Sequence, residues 1–258
     1  MAKSIEGTIM LADFRGLSKH FNGVLALDGF SLSIERGEIV GLFGPNGSGK
    51  TTFFNVVSGL LAADQGRAVI KGTPILRLKP FQIAQLGISR TFQNLRLIRQ
   101  LTALENVMLC FSGQSGEELS NLFLRPRATR NHEEENRVRA LELFERAGLR
   151  EKANASVHSL SYGQQKLVSV LCCMAMDAEL LLLDEPVAGI APELKERMLS
   201  LIVTLPPEGT SVIIVEHNLD ALAQVSGRLV FMNGGRNICD GLPTDVLQDP
   251  SVIEAYLE

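Results

Sequence analysis

The residues from Gly44 to Thr51 combine a glycine-rich loop with a lysine and a hydroxyl, a set that can bind phosphate groups. Their order, Gly-Pro-Asn-Gly-Ser-Gly-Lys-Thr, fits the pattern G-x-x-x-x-G-K-S/T. Glycines let consecutive backbone N–H groups curl around an anion, and the N-terminus of a following helix adds positive potential. Lys50 can reach the β- and γ-phosphates of a nucleotide, and the Thr51 hydroxyl can ligate Mg²⁺. The loop therefore predicts a nucleoside-triphosphate site.

The flanking sequence supports this prediction over the alternative of a chance glycine-rich turn. The apolar run 39–43 before the loop predicts a buried strand, and residues 52–57 after it predict a helix. A strand, a loop and a helix in this order are the context that the phosphate-binding pattern requires. The residues that we expect to contact the nucleotide here are Gly44, Pro45, Asn46, Gly47, Ser48, Gly49, Lys50, Thr51 and Thr52.

Two adjacent carboxylates, Asp184 and Glu185, follow the apolar run 180–183. Such a run is typical of a parallel strand buried on both faces, and ligand sites lie beyond the carboxyl ends of these strands. The two carboxylates would repel each other without a cation, which Mg²⁺ would supply. We expect Asp184 to hold the metal and Glu185 to accept a proton from an attacking water. An acidic cap on a core strand is the alternative, which the phosphate loop in the same chain disfavours.

Length, composition and charge limit the classes of function. The 258 residues, 45% of them hydrophobic, suffice for one large α/β domain or for a core domain with a subdomain. A net charge of −4 gives no general attraction to nucleic acid, so we expect no such partner. The four cysteines lack disulfide or zinc-site spacing and predict reduced core residues of a cytosolic protein. With no signal peptide and no apolar run of about 20 residues, membrane association would come through a partner.

The chain alternates between strand and helix patterns in three stretches. Residues 11–40 alternate apolar and polar positions, which predicts strands with turns, and a strand near 68–70 and a helix near 78–86 follow the phosphate loop. Residues 92–176 predict a mainly helical insertion, with a polar connection from Gly113 to Glu135. After 180, strands near 180–183 and 211–215 alternate with helices near 193–205 and 218–225, which favours a largely parallel sheet.

The segment Leu160–Gln164, Leu-Ser-Tyr-Gly-Gln, resembles the L-S-G-G-Q signature of ATP-binding-cassette (ABC) ATPases. Ser161 and Gln164 also fit a capping box, so a well-capped helix is the purely structural alternative. The resemblance implies that Ser161, Gly163 and Gln164 approach the γ-phosphate of an ATP bound by a second subunit.

Three further residues follow in the order of the same family. Gln93 resembles the glutamine that senses Mg²⁺ and the attacking water, and His217 resembles the switch histidine that contacts the γ-phosphate. Phe21 matches the aromatic position that stacks on adenine. Each alone is weak evidence, because a single Phe, Gln or His is more often structural. Together they imply that Lys50, Gln93, Glu185 and His217 act in hydrolysis and that Thr51, Gln93 and Asp184 hold the metal.

The segments 87–94, 160–165, 185–189 and 249–257 look like those of the LivG-type ATP-binding subunits of branched-chain amino-acid importers. The implied fold is an α/β P-loop NTPase core with an N-terminal antiparallel β subdomain and an inserted α-helical subdomain. We expect a single domain over 11–258. Its expected parts are a core of 11–91 and 178–240, a helical signature subdomain of 92–177, and a C-terminal helical tail of 241–258.

The resemblance implies a cytoplasmic ATPase on the inner face of the cell membrane. Its partners would be transmembrane permease subunits, a second ATP-binding subunit in a homo- or heterodimer and, indirectly, a substrate-binding protein. Two ATP molecules would lie between the Lys50 loop of one subunit and the Ser161 helix of the other. The face toward the membrane would lie within 93–102, where leucines and Ile98 interleave with Arg96 and Arg99. An ordinary amphipathic subdomain face is the alternative.

Two departures from the subgroup leave other functions open. Ala191 stands where a polar residue is usual, and the helix after the signature has Lys166 followed by a largely apolar run, where several basic residues are usual. Both bear on coupling between subunits or on the rate of hydrolysis. One alternative is a soluble ABC ATPase that acts as an assembly or mechanical factor. The other is a nucleotide-gated binding module that rarely hydrolyses ATP, a possibility that Ala191 supports and the intact Asp184–Glu185 pair opposes.

Overall fold

The computed structural model describes residues 9–93, 95–111 and 126–257. These residues form two compact units. The first, the core unit, comprises residues up to Arg90 together with Glu179–Glu185 and Val203 onward. The second, the helical unit, comprises Thr91–Ala178 and Pro186–Ile202.

Strands and helices follow one another in the α/β order that the sequence predicts. The strands are β1 (Met10–Phe21), β2 (Val24–Glu35), β3 (Ile39–Phe43), β4 (Gln65–Ile70), β5 (Thr73–Pro74), β6 (Ile88–Arg90), β7 (Leu180–Asp184), β8 (Ser211–Val215), β9 (Arg228–Asn233) and β10 (Arg236–Gly241). The α-helices are α1 (Lys50–Val57), α2 (Pro80–Gln85), α3 (Ala103–Met108), α4 (Pro126–Arg146), α5 (Tyr162–Ala175), α6 (Pro192–Ile202), α7 (Leu219–Val225), α8 (Pro243–Val246) and α9 (Pro250–Leu257).

The core unit contains two sheets. The N-terminal strands form an antiparallel sheet in the order β2-β1-β4-β5, as their period-two pattern predicts. The other sheet has the order β10-β9-β3-β8-β7-β6, and every pair in it is parallel except β9 with the edge strand β10. Strands β3, β7 and β8 are buried along their whole length. Their carboxyl ends therefore lie side by side at one edge of the sheet.

Helix α1 joins the phosphate loop to the hydrophobic core of this unit. Phe53 lies with its ring centroid 5.2 Å from that of Phe14 on β1 and 4.8 Å from that of Phe30 on β2. All three rings are fully buried. Contacts between aromatic rings at these separations add to the free energy of burial. The antiparallel sheet therefore packs directly on the helix that follows the predicted phosphate loop.

The helical unit contains α3, α4, α5 and α6, in agreement with the helical insertion that the sequence predicts. Of the predicted polar connection 113–135, residues 113–125 lie outside the described part, and the remainder belongs to α4. Contacts group Pro186–Ile202 with the helical unit, whereas the sequence-based subdivision has these residues in the core. Helix α6 ends at Ile202, before the predicted 205. Leu205 keeps helical backbone angles, but it precedes a separate short 3-10 helix, Pro206–Glu208.

Two sequence-based expectations concern cysteines and membrane spans. None of the four cysteines, all of them in the described part of the chain, forms a disulfide; Cys173 is buried, and the other three are half-buried instead of lying in the core. Among the described residues, no helix is both long enough and apolar enough to cross a membrane.

We expect that Gly41→Ala destabilises the core unit by about 1–3 kcal/mol, because overpacking a filled core carries a cost of this size. A Cβ atom at Gly41 in β3 would lie 2.5 Å from Leu229 Cδ2 and 2.8 Å from Ser226 Oγ. The matched control is Gly227→Ala, where no atom lies within 4 Å of the added Cβ. Urea unfolding measures both variants, and equal losses of unfolding free energy would contradict the packing argument.

Candidate functional site

The phosphate loop between β3 and α1 adopts a backbone conformation that requires glycine at two positions. Gly44 has φ +152°, and a Cβ there would lie 1.9 Å from the carbonyl oxygen of Met232. Gly49, the N-cap of α1, has φ +109°, and a Cβ there would lie 2.3 Å from the carbonyl oxygen of Ala26. Neither backbone nor neighbours would admit a side chain. The glycines of the motif therefore set both the curl of the loop and its close approach to adjacent strands.

The Lys50 side chain folds back over this loop. Its Nζ donates hydrogen bonds to the carbonyl oxygens of Gly44 (2.8 Å) and Pro45 (2.9 Å) and to Ser48 Oγ (3.2 Å). Burial lowers the pKa of Lys50, while the charges of Glu185 and Asp184 oppose that shift. The ammonium group is thus held at the loop, within the electrostatic field of both carboxylates.

Gly235, which the sequence analysis missed, supports the loop from outside the motif. Its N–H donates to the carbonyl oxygen of Ser48 at 3.0 Å, and its carbonyl oxygen accepts from the Asp28 N–H at 2.9 Å. A Cβ at Gly235 would lie 2.8 Å from the Asp28 nitrogen. The adjacent glycines 234 and 235 indicate a turn between two strands, but the sequence holds no local sign that this turn contacts the phosphate loop.

Asp184 ends β7 and forms a buried ion pair with Arg90 at the end of β6. Arg90 Nη2 lies 3.0 Å from Asp184 Oδ2, and the side chains are only 6% and 3% exposed. Arg90 Nη1 also donates to Asn55 Oδ1 (2.7 Å) and Ser58 Oγ (3.2 Å), at the end of α1. Burial raises the pKa of Asp184, whereas the Arg90 hydrogen bond and charge oppose the rise. The guanidinium thus links this carboxylate to the helix that follows the phosphate loop.

Arg90 is a second residue whose role the sequence analysis missed. The one available sign is an arginine two residues after Ile88 in a short predicted buried segment, where a charged side chain needs a partner. Its partner could be named only from the order of strands, since β6 and β7 are distant in sequence and pair in parallel with Arg90 opposite Leu182.

Glu185 and His217 meet at the same edge of the sheet. Glu185 Oε1 lies 3.2 Å from His217 Nε2. The Glu185 backbone has φ +50°, a left-handed conformation that is unusual for a residue with a side chain. Its N–H donates to the carbonyl oxygen of Val215 at 2.9 Å. Backbone strain of this kind is often found at functional sites. The turn after β7 therefore directs the Glu185 carboxylate toward the histidine that follows β8.

Three further predicted site residues belong to the core unit. Two directly follow Lys50, and the third lies at the tip of the β1–β2 hairpin. Thr51 is exposed and Thr52 half-buried, both in the first turn of α1. Phe21 ends β1 and is 42% exposed, opposite Val24. An exposed aromatic ring of this size is available for stacking.

In the helical unit, the predicted capping box at the start of α5 is confirmed. Ser161 Oγ accepts from the Gln164 N–H at 3.3 Å, and Gln164 Oε1 accepts from the Ser161 N–H at 2.9 Å. Gly163 packs so tightly that a Cβ would lie 2.7 Å from Leu194 Cδ1 and 3.2 Å from Ile190 Cβ. The N-terminus of α5 is therefore fixed against the segment that leads into α6.

Gln93 is exposed in an irregular segment of the helical unit, and its predicted neighbour Asn94 lies outside the described residues. The following segment, Leu95–Thr102, is held by the buried Asn106 side chain. Asn106 Oδ1 accepts from the Ile98 N–H at 2.7 Å, and Nδ2 donates to the carbonyl oxygens of Ile98 (3.1 Å) and Thr102 (2.9 Å). Arg96 covers the Phe92 ring at 3.6 Å from its centroid.

Known sequences resemble this chain over most of its length. The sequence profile of the ABC transporter family matches residues 27–188. The probable branched-chain amino acid transport ATP-binding protein LivG of Archaeoglobus fulgidus is 38% identical over 247 residues, which are 94% of this chain and 93% of that protein. The high-affinity branched-chain amino acid transport ATP-binding protein BraF of Pseudomonas aeruginosa is 36% identical, over 96% of this chain and 97% of its own.

Solved structures resemble the chain as well. The ADP conformation of an ATP-binding cassette of an ABC transporter has a TM-score of 0.82 at 32% identity and covers 97% of this chain and 99% of its own. A dimeric post-hydrolysis ATP-binding cassette bound to ADP and phosphate has a TM-score of 0.75 at 27% identity. The match covers 90% of this chain and 99% of that chain. The predicted fold class is confirmed by these likenesses.

We expect Arg90→Met to lower the free energy of unfolding by about 3–5 kcal/mol at alkaline pH, because removing one partner leaves a buried charge without compensation. The loss should shrink as the pH is lowered into the acidic range. Burial raises the pKa of Asp184 in the folded state, so the folded variant takes up a proton there more readily than the unfolded chain does. The penalty therefore appears as pH rises and disappears as it falls.

Urea unfolding of the wild type and of Arg90→Met, each at alkaline and at acidic pH, measures how the loss of unfolding free energy depends on pH. Arg36→Met is the matched control, because Arg36 pairs with Glu179 at 2.7 Å in an ion pair that is far more exposed, at 43% and 31% of the two side chains. Exposed pairs contribute about 0–1 kcal/mol. An Arg90→Met loss no larger than the control, or one that does not change with pH, would contradict the role of the buried pair.

Proposed function

Because this chain belongs to the ABC transporter family, we propose that it is the ATP-binding and ATP-hydrolysing subunit of an importer for branched-chain or related amino acids. The observation that carries the proposal is the meeting of the phosphate loop with the Asp184–Glu185 pair at one sheet edge. The amino-acid cargo is taken from the printed names of the relatives, which align along nearly their whole length.

The phosphate loop would hold the triphosphate through its backbone N–H groups and through Lys50. In the structure, the Lys50 ammonium donates to two carbonyl oxygens and a hydroxyl. Phosphate oxygens are stronger, charged acceptors, so the ammonium would turn toward the β- and γ-phosphates without leaving the loop. The N-terminus of α1 adds positive potential at the same place. Phe21, with its exposed ring, would stack on the adenine.

Within the core unit, the Thr51 hydroxyl and the Asp184 carboxylate are oxygen ligands of the kind that Mg²⁺ prefers. Thr51, Gln93 and Asp184 would hold the ion together with phosphate oxygens. Within the described residues, no three His, Cys, Asp or Glu side chains cluster to hold a metal by themselves. When bound, Mg²⁺ neutralises charge on the β- and γ-phosphates.

Glu185 would act as the general base of hydrolysis, and His217 would contact the γ-phosphate. The carboxylate is partly exposed, so water can reach it, and the His217 ring 3.2 Å away fixes its orientation. Glu185 would take the proton of the attacking water as the bond between the β- and γ-phosphates breaks. Gln93 would help to position that water.

We propose that the working form is a dimer, homo- or heteromeric, with two ATP molecules at its interface. Ser161, Gly163 and Gln164 of one subunit would face the γ-phosphate bound at the Lys50 loop of the other. The capping box and the tight packing of Gly163 keep the N-terminus of α5 rigid, so the helix would offer a preformed anion site. A related cassette forms a dimer with ADP and phosphate.

Transmembrane permease subunits would bind the segment Leu95–Thr102 and hold this chain at the inner face of the membrane. Ile98 is exposed there, and the buried Asn106 fixes the segment without a regular helix or strand. The alternative of an assembly factor without a transporter is disfavoured, because the relatives are transport proteins. Ala191 keeps a slow ATPase as the second candidate, which the assay below would detect.

We expect Glu185→Gln to bind ATP like the wild type but to lower steady-state hydrolysis at least about 100-fold, since a positioned general base contributes about 10²–10⁴-fold. The amide keeps the shape of the side chain and cannot accept the proton. The ATP-bound dimer should then accumulate. Phosphate release measures hydrolysis, and size-exclusion chromatography with light scattering measures the dimer.

Asp220→Asn is the control for this variant, because it makes the same chemical change at an exposed residue of α7. It should retain wild-type hydrolysis. Normal hydrolysis by Glu185→Gln would refute the assignment of the base. A wild type that binds ATP yet hydrolyses it no faster than this variant, even with its membrane partners, would favour the binding-module alternative.

We expect the double charge reversal Arg96→Glu/Arg99→Glu to reduce co-purification with co-expressed membrane subunits, because both side chains are exposed on the proposed docking segment. The matched control is Arg67→Glu/Arg77→Glu, which reverses two exposed arginines of the core unit. The measurement is the ratio of subunits recovered in detergent. Undiminished assembly of the first variant, or an equal loss in the control, would exclude this surface.

A further inference from the structure

The hairpin of β1 and β2 extends beyond the sheet to which it belongs. Strand β1 pairs with β2 as far as Phe21 opposite Val24, but its pairing with β4 ends at Ser18 opposite Gln65. The turn at the tip has positive φ at both central residues, Asn22 and Gly23, as a two-residue hairpin turn requires. A two-stranded ribbon in water is marginally stable. The tip that carries Phe21 therefore needs support beyond the strand pairing.

Asp64, just before β4, ties this tip to the sheet with both carboxylate oxygens. Oδ1 accepts from Lys19 Nζ at 2.7 Å, and Oδ2 accepts from the His20 backbone N–H at 2.7 Å. His20 Nδ1 lies 3.5 Å from Oδ2. The backbone N–H of Asp64 donates to the carbonyl oxygen of Ser18 at 2.9 Å. One residue thus contacts three consecutive residues of β1, directly before Phe21.

The contact extends to the aromatic ring through Lys19. The Lys19 ammonium lies 5.6 Å from the centroid of the Phe21 ring while it donates to Asp64. The Lys19 side chain is only 14% exposed, so its position is well defined, whereas the ring remains 42% exposed. A cation near an aromatic face attracts the ring and restricts its orientation. The hydrogen bonds from Lys19 and His20 also hold the pKa of Asp64 below its usual range, which keeps the carboxylate charged.

We propose that Asp64 is a positioning residue for nucleotide base recognition, which it serves by fixing Lys19, the hairpin tip and thereby the ring of Phe21. This inference rests on the proposed function, in which Phe21 stacks on adenine. Asp64 touches neither the base nor the phosphates in this arrangement. Its contribution would be to remove the cost of ordering the ring when ATP binds.

The test compares ATP with tripolyphosphate, a probe that has the phosphate chain but no base. Equilibrium binding of both is measured by calorimetry in Mg²⁺ buffer for the wild type, Asp64→Ala, Phe21→Ala and the double variant. Asp64→Ala keeps the backbone hydrogen bond to Ser18 and loses only the carboxylate contacts. Asp13→Ala is the matched control. Asp13 lies on β1, the strand that carries Phe21, and pairs with Arg15 at 2.9 Å, away from the hairpin tip.

We expect Phe21→Ala to weaken ATP binding about 5- to 100-fold, the effect typical of losing one stacking contact. Asp64→Ala should weaken ATP binding about 2- to 10-fold, the cost of ordering one side chain. Neither variant should change tripolyphosphate binding, and Asp13→Ala should change neither ligand. In the double variant, Asp64→Ala should add little to the effect of Phe21→Ala, since the ring that it positions is absent.

The outcomes separate failure of this inference from failure of the proposed function. If Phe21→Ala weakens ATP binding while Asp64→Ala does not, or if Asp64→Ala weakens both ligands equally, the positioning role is wrong and the proposed function stands. Full additivity in the double variant would also overturn it. If Phe21→Ala leaves ATP binding unchanged, the assignment of Phe21 in the proposed function fails, and the inference fails with it.

Discussion

The buried charge of Asp184 is the constraint on which the rest of the site depends. A carboxylate that is 3% exposed at the end of a strand is stable only beside a cation, and Arg90 supplies it from the neighbouring strand β6. The same guanidinium hydrogen-bonds Asn55 and Ser58 at the end of α1 and lies 5.2 Å from the Phe54 ring centroid. One arginine therefore joins the carboxylate strand to the helix of the phosphate loop, and the relative position of these two parts follows from the need to compensate a single charge.

The phosphate loop is constrained in a different way, by close steric contact with the backbone of neighbouring strands. Two of its glycines, Gly44 and Gly49, approach the backbone of neighbouring strands so closely that a Cβ would overlap a carbonyl oxygen, and Gly235 hydrogen-bonds Ser48 from the β9–β10 turn. A loop enclosed in this manner cannot rearrange without moving the strands around it. Lys50, which donates to the carbonyl oxygens of the same loop, is thereby presented with little remaining conformational freedom. The loss of entropy on binding phosphate would be correspondingly small.

The features that could be predicted from the sequence are those formed within one continuous segment of the chain. The phosphate loop, the buried strands before Lys50 and Asp184, and the capping box of Ser161 and Gln164 each depend on neighbours a few residues apart, and each is found as predicted. Arg90 and Gly235 were missed because their partners are set by the order of strands, which no local pattern encodes. The left-handed backbone of Glu185 was missed for a related reason, since a strained turn persists only where tertiary packing enforces it.

The same distinction explains the tip of the first hairpin. The Asn-Gly turn and the alternation of β1 and β2 are local and predict a hairpin, but they do not predict that β4 stops pairing at Ser18 and leaves Phe21 beyond the sheet. An exposed ring gains access to a ligand and loses the packing that would orient it. Asp64 and Lys19 compensate for that loss with charge, because a hydrogen-bonded ion pair can support a projecting strand end without covering the ring. Polar contacts thus orient the Phe21 ring and leave it accessible, whereas apolar packing would cover the ring and block the proposed base site.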